Sequence, residues 1–166
     1  MDDPDNRPCL HDFFKNQPTR LFHIGRLDKD SEGLLLLTDD GDLTHKATHP
    51  SFGLTKRYLV QIEGVLGRRD EDEVKNGVEL DDGLARVDSI KKIRQTKSGD
   101  SWYEVDIHEG RYHIIRRLME AVGVEVIRLV RSQFGPILLG DMKEGRWRDL
   151  NEVEMANLYK ALDLKP

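Results

Sequence analysis

The chain is poor in cysteine, in long apolar runs and in the residue clusters that hold cofactors. Cys9 is the only cysteine among 166 residues. A lone thiol closes no internal disulfide, which fits a reducing compartment. No apolar segment approaches the roughly 18 residues of a membrane span, and no charged-then-apolar leader opens the chain. These readings together point to a soluble, cytoplasmic protein with no membrane partner. There is also no Gly-rich phosphate loop, no Cys pair and no metal triad. His45 and His49 stand four apart, but no third ligand lies at a recognisable spacing, so no metal site is read there. The length is enough to bury a core without staples, and 1–166 reads as one domain.

The charge is unhelpful as a total and informative locally. The net charge of −5 is the wrong sign for a nucleic-acid binder. From Arg111 to Arg148, however, eight Lys/Arg face four acids, so this segment is +4 and the remainder −9. Such asymmetry can set a basic face on an acidic body, or it can be a mixed solvated surface.

One stretch organises the rest: Gly25 to Gly41, reading GRLDKDSEGLLLLTDDG. A polar turn carries Arg26 and Asp28, and Leu34 to Thr38 follows as a strand buried on both faces, although a buried helical turn satisfies the same pattern. Before it, a short helix is expected around Leu10 to Lys15 and a strand at Leu21 to Ile24. After it come a helix over Asp42 to Thr48, stopped by Pro50, and a strand over Lys56 to Ile62 with Tyr58, Val60 and Ile62 on one face. Arg68 to Asn76 is a charged helix closed by Gly77. Turn signals at Asp81-Asp82-Gly83 and Lys97-Ser98-Gly99-Asp100 bound strands at Ala85 to Ile93 and Trp102 to Ile107, read as a peripheral antiparallel sheet. A helix opened by Glu109 to Leu118 ends at Gly123, and its apolar face holds Ile114, Ile115, Leu118 and Val122. Val124 to Val130 is a buried strand, Gly145 to Leu150 a closing strand, and Asn151 with Glu154 caps a last helix through Leu162. Strands and helices alternate without a regular βα repeat, so the fold class is α+β with a mixed, largely antiparallel central sheet flanked by helices.

Gly25-Arg26-Leu27-Asp28, with Ser31, Gly33 and the leucine run, resembles the catalytic motif of bacterial RNA pseudouridine synthases, most closely the RsuA/RluB group that modifies ribosomal RNA. Lys56-Arg57-Tyr58 resembles that family's Lys-x-Tyr context. Glu109-Gly110-Arg111 through Arg116-Arg117-Leu118 resembles its Glu-Gly-Arg-x-x-Gln-Val-Arg-Arg-Met helix, with Ile114 in place of the Gln. Leu129-x-Arg131 with Gly135-Pro136 resembles its third motif. The family's Lys-Pro-x-Gly strand and its small RNA-binding domain of the S4 type would both precede Met1, so relative to the family the chain is expected to be N-terminally truncated.

The resemblance implies isomerisation of uridine to pseudouridine, with RNA as partner, ribosomal RNA of the large subunit favoured, no cofactor and no metal. No obligate protein partner is evident. It implies roles as well: Asp28 as catalyst, Tyr58 stacked on the flipped base, Arg131 paired with Asp28, Leu129 against the base, and Arg26 helping to open the RNA. Arg116 and Arg117 are expected to contact phosphates. Asp28 must be ionised to act, and a neighbouring cation favours that form. Two rivals stand beside this reading. One is a catalytically impaired RNA-binding core of the same fold. The other is an Asp-dependent hydrolase of a small molecule, for which no second carboxylate or metal is legible.

Overall fold

The computed structural model describes residues 10–15 and 18–164; the extended start expected before Leu10 lies outside them. The elements run α1 (Leu10–Phe13), β1 (Phe22–Ile24), β2 (Glu32–Gly33), β3 (Leu36–Thr38), α2 (Gly41–Thr48), a 3-10 turn at Pro50–Phe52 and β4 (Lys56–Ile62). They continue with α3 (Arg68–Asn76), β5 (Val78–Leu80), β6 (Gly83–Ala85), β7 (Ser89–Gln95), β8 (Ser101–Ile107), α4 (Ile114–Ala121), β9 (Val126–Phe134), β10 (Ile137–Leu138) and α5 (Glu152–Ala161). The main sheet has the order β10-β9-β4-β8-β7, and β2 adds to it in parallel with β9. Every other pairing among the described strands is antiparallel. The fold is α+β with a mixed, largely antiparallel sheet, as expected. No helix among the described residues is long and apolar enough to cross a membrane.

Period-two alternation decides which face of β4 is covered. Val60 and Ile62 are fully buried, and they join Tyr103, Val105 and Ile107 of β8 and Leu129 of β9 in one cluster. Val74 of α3 and Ile114, Ile115, Leu118 and Met119 of α4 close it. A second cluster gathers Ile24, Leu36 and Leu43 with Phe134, Ile137, Leu158 and Leu162. Strand β9 runs through both, giving Leu129 to one and Phe134 to the other. A cleft opens along the seam between them, lined by Ile114, Ile115 and Leu129 of the first cluster and Ala47 and Phe134 of the second.

Five expectations about elements are corrected. The leucine run is not one strand buried on both faces: Leu34 and Leu36 are buried while Leu35 and Leu37 are half-exposed. The chain changes partner there, leaving β9 after Gly33 and joining β1 at Leu36. Strands β7 and β8 belong to the main sheet, and only the β5–β6 hairpin is separate; the expected Ala85–Ile93 strand breaks because the Val87 N–H turns aside to Val74 O. The buried strand begins at Val126 and continues through Arg131 to Phe134, because the Val124 N–H is used by Met119 O at the end of α4. Gly145 to Leu150 forms no strand. Helix α4 also starts later than expected, at Ile114, leaving Glu109 to His113 as a loop.

The last helix starts as its sequence predicts. Asn151 Oδ1 accepts from the Glu154 N–H at 2.9 Å, and Glu154 Oε2 accepts from the Asn151 N–H at 3.0 Å. Asn151→Ala is expected to lower stability by about 1 kcal/mol in urea unfolding. Glu154 is also gripped by both Nη atoms of Arg148, and that fork, with the Asn151 N–H, lowers its pKa to about 2 from 4.5. A depressed carboxylate stabilises the fold above its ordinary pKa and loses that contribution as pH falls through the folded value. Glu154→Gln is therefore expected to lie below wild type at neutral pH and to approach it as the pH drops from 4.5 to about 2.

Candidate active site

The loop between β1 and β3 is held from its own main chain. Buried Arg131 donates from Nε to Leu34 O at 2.8 Å and from Nη1 to Arg26 O at 3.2 Å. Arg116 of α4 donates from Nη2 to Asp30 O at 2.6 Å and from Nη1 to Val126 O at 3.0 Å. Two guanidinium forks thus fix the loop at its start, middle and end, with Asp28 between the grips. The Leu34 N–H returns a bond to Arg131 O at 2.8 Å, and Glu32–Gly33 lie in register with Val130–Arg131.

Tyr58 reaches the same place from the sheet. It is the cross-strand neighbour of Arg131, as Val60 is of Leu129, so these four side chains share one face. A register irregularity between Arg57 and Tyr58 sits at this point, as bulges do where a strand must re-aim a side chain. The resulting cleft measures about 730 Å³, within the range of pockets that hold drug-sized ligands. Arg26, Asp28, Tyr58, Leu129 and Arg131 all line it, together with Lys56, Tyr112 and Phe134.

Three expected contacts differ. Arg131 makes no ion pair with Asp28: the loop carbonyls occupy its Nε and Nη1, and Nη2 is buried with no hydrogen-bond partner. Asp28 Oδ1 instead faces His113 Nε2 at 3.6 Å. Arg116 is turned inward onto the loop, and Arg117 is held by Asp81 and Asp82, so neither guanidinium is presented to a phosphate. The same holds for much of the basic segment. Arg111 pairs with Asp82 and Glu109, Arg128 with Glu32, and Arg148 with Glu154. Acids from the rest of the chain neutralise it.

Lys56 and Arg131 line the cleft. Lys56 donates to His108 O at 2.7 Å, and its ammonium and the Arg131 guanidinium lie 5.6 and 5.4 Å from the centre of the Phe134 ring. Burial lowers the pKa of Lys56, and the nearby Arg131 charge lowers it further. Like charges are kept together at a cost where a ligand supplies the missing anion or acceptor. A base with a lowered pKa is a burden on the fold at neutral pH, fully present below the folded value and relieved as pH rises towards 10.5. Lys56→Met is therefore expected to melt no lower than wild type at pH 7 in a thermal scan.

Sequence reasoning missed Lys56, Phe134, Tyr112 and His113 as site residues. Lys56 had a signal, since it stands two before Tyr58 on one strand face. His113 had none: it enters through a left-handed turn (φ 49°) ahead of α4.

Comparisons with known proteins bear on the chain as a whole. A sequence model of the family described as RNA pseudouridylate synthase matches residues 2–121. An uncharacterized RNA pseudouridine synthase of Aquifex aeolicus (strain VF5) is 42% identical over 162 residues, covering 98% of this chain and 65% of that protein. Ribosomal large subunit pseudouridine synthase B of Bacillus subtilis (strain 168) is 36% identical over 166 residues, covering 97% of this chain and 66% of that protein. A crystal structure of a pseudouridylate synthase superposes with a TM-score of 0.72 at 32% identity, covering 83% of this chain and 59% of the other. The chain thus spans about two thirds of the length of these curated relatives.

Proposed function

Because the chain belongs to the RNA pseudouridylate synthase family, we propose that it isomerises a uridine of RNA to pseudouridine, with large-subunit ribosomal RNA as the substrate. The observation that carries this reading is the convergence of Asp28, Tyr58, Leu129 and Arg131 on one cleft. The resemblance to proteins named as ribosomal large subunit enzymes supports the RNA class. The reaction sets the protein in the cytoplasm, where that RNA is made.

The chemistry needs a uridine turned out of its helix. A flat phenol ring receives the extruded base without consuming its polar edges, which is the use of Tyr58, while Leu129 packs against it. The N1–C1′ bond then breaks, the uracil turns, and C5 bonds to C1′; the C5 hydrogen leaves as a proton and N1 takes one up, so atoms balance without cofactor or redox partner. Ionised Asp28 serves as nucleophile, or as the base that removes a ribose proton. The unpartnered Nη2 of Arg131 is a buried donor that a carboxylate or a uracil carbonyl would complete. Arg26, which has no partner among the described residues, is free to enter the RNA beside the target.

Tritium release from ribosomal RNA transcripts labelled at uridine C5 tests the reading. Release by the wild type supports it. RNA binding without release would instead support an RNA-binding core that does not turn over, the reading favoured by Asp28 facing His113 and not Arg131.

A further inference from the structure

Tyr112 is a large aromatic residue in an unexpected place. It lines the cleft, yet it is 68% exposed, so it stands at the mouth. Its ring is stacked on His113, with centroids 3.8 Å apart and planes 13° from parallel. Neighbouring residues on a helix or strand point apart, and this pair faces because His113 adopts the left-handed conformation at φ 49°. That conformation is uncommon for any residue but glycine, though His is among those that tolerate it.

The platform is also held from below. Arg117 donates to Tyr112 O at 3.1 Å while Asp81 and Asp82 grip its guanidinium. Arg111, at the other side of the loop, donates to Leu84 O at 2.8 Å and is paired with Glu109 and Asp82. One ring therefore rests on its neighbour, that neighbour's Nε2 faces the Asp28 carboxylate, and the outer ring face is open to solvent. An exposed aromatic fixed so firmly, with one face unused, is suited to carry another flat ring.

We propose that the outer face of Tyr112 is a second base-stacking subsite, taking the unpaired nucleobase next to the uridine that enters the cleft, in a base–Tyr112–His113 stack. The proposal rests on the synthase reading for the identity of the neighbouring uridine. Stacking is tolerant of base identity because every base has a π face, so the subsite adds affinity and register, while sequence choice lies elsewhere.

Two readouts separate this proposal from the synthase reading. The first is tritium release from C5-labelled ribosomal RNA transcript by wild type, Tyr112→Ala and Tyr112→Phe. The second is quenching of 2-aminopurine at the centre of an oligouridylate heptamer, which reports stacking without turnover. Tyr112→Ala is expected to raise KM about tenfold or more with kcat within about twofold, the size of one lost base–aromatic stack. It is also expected to lose the quenching, and Tyr112→Phe to restore both. An unchanged KM in Tyr112→Ala overturns the subsite while leaving the synthase intact. A fall in kcat alone overturns it too, since Tyr112 would then serve only to place His113. If the wild type releases no tritium, the synthase reading fails; quenching by wild type that Tyr112→Ala loses would still support the subsite, and no quenching by wild type would overturn it.

Discussion

Asp28→Asn is expected to abolish tritium release, lowering kcat by about four orders of magnitude or more, as loss of an essential nucleophile or base does. The substitution is nearly isosteric and removes only charge. The loop that carries residue 28 is held through Arg26 O, Asp30 O and Leu34 O, and the Asp28 side chain takes no part in those bonds. Folding should therefore be untouched, with thermal midpoints within a few degrees, and RNA binding should change little. Equal release from wild type and Asp28→Asn would remove Asp28 from the mechanism.

Gly33→Ala is expected to be strongly destabilising, its added carbon meeting the tightest contact of any glycine compared. Gly33 has φ 107°, and a Cβ there would stand 2.3 Å from Arg131 O and 2.7 Å from Arg131 N. Both atoms are main chain of a central strand and cannot swing aside. The β2–β9 pairing must open, releasing the Leu34 N–H from Arg131 O and the loop from the Arg131 fork. A loss of more than about 3 kcal/mol in urea unfolding is expected, with kcat falling as Asp28 loses its place. Gly41→Ala is the matched control: nothing lies within 4 Å of its added carbon, and the site is the first residue of α2. That variant should match or slightly exceed wild-type stability. A Gly33→Ala protein as stable as wild type would show that the β2 crossing does not hold the loop.

What was legible in the sequence was local. Strand β4 and helix α3 have the bounds that alternation and a terminal glycine predict, Lys56–Ile62 and Arg68–Asn76. The capping pair Asn151 and Glu154 is likewise a contact over three residues. Five residues that line the cleft, Arg26, Asp28, Tyr58, Leu129 and Arg131, were named from the family resemblance, while Lys56, Phe134, Tyr112 and His113 were not. Their partners were not legible. Arg131 was expected to seek a carboxylate because a buried charge needs one, but main-chain carbonyls took its Nε and Nη1, and every residue carries one of those, so no letter marks them. Arg117 found its acids 35 residues away on the β5–β6 turn, a meeting that depends on how α4 packs. Both errors have the same origin: sequence displays donors and charges, while the fold decides which acceptors reach them.

The crossing of β2 over β9 has a further consequence in time. Arg131 Nε and Leu34 O are 97 residues apart in sequence, and closing so long a loop costs entropy that local helices and hairpins do not. The Asp28 carboxylate is thus aimed only after β9 has taken its place beside β4. A nascent chain that has emerged only as far as Gly123 has Asp28 but not the strand that holds its loop. In pulse-labelled hydrogen exchange during refolding, the Leu34 amide should gain protection late, together with the β2–β9 ladder and after the amides of α3.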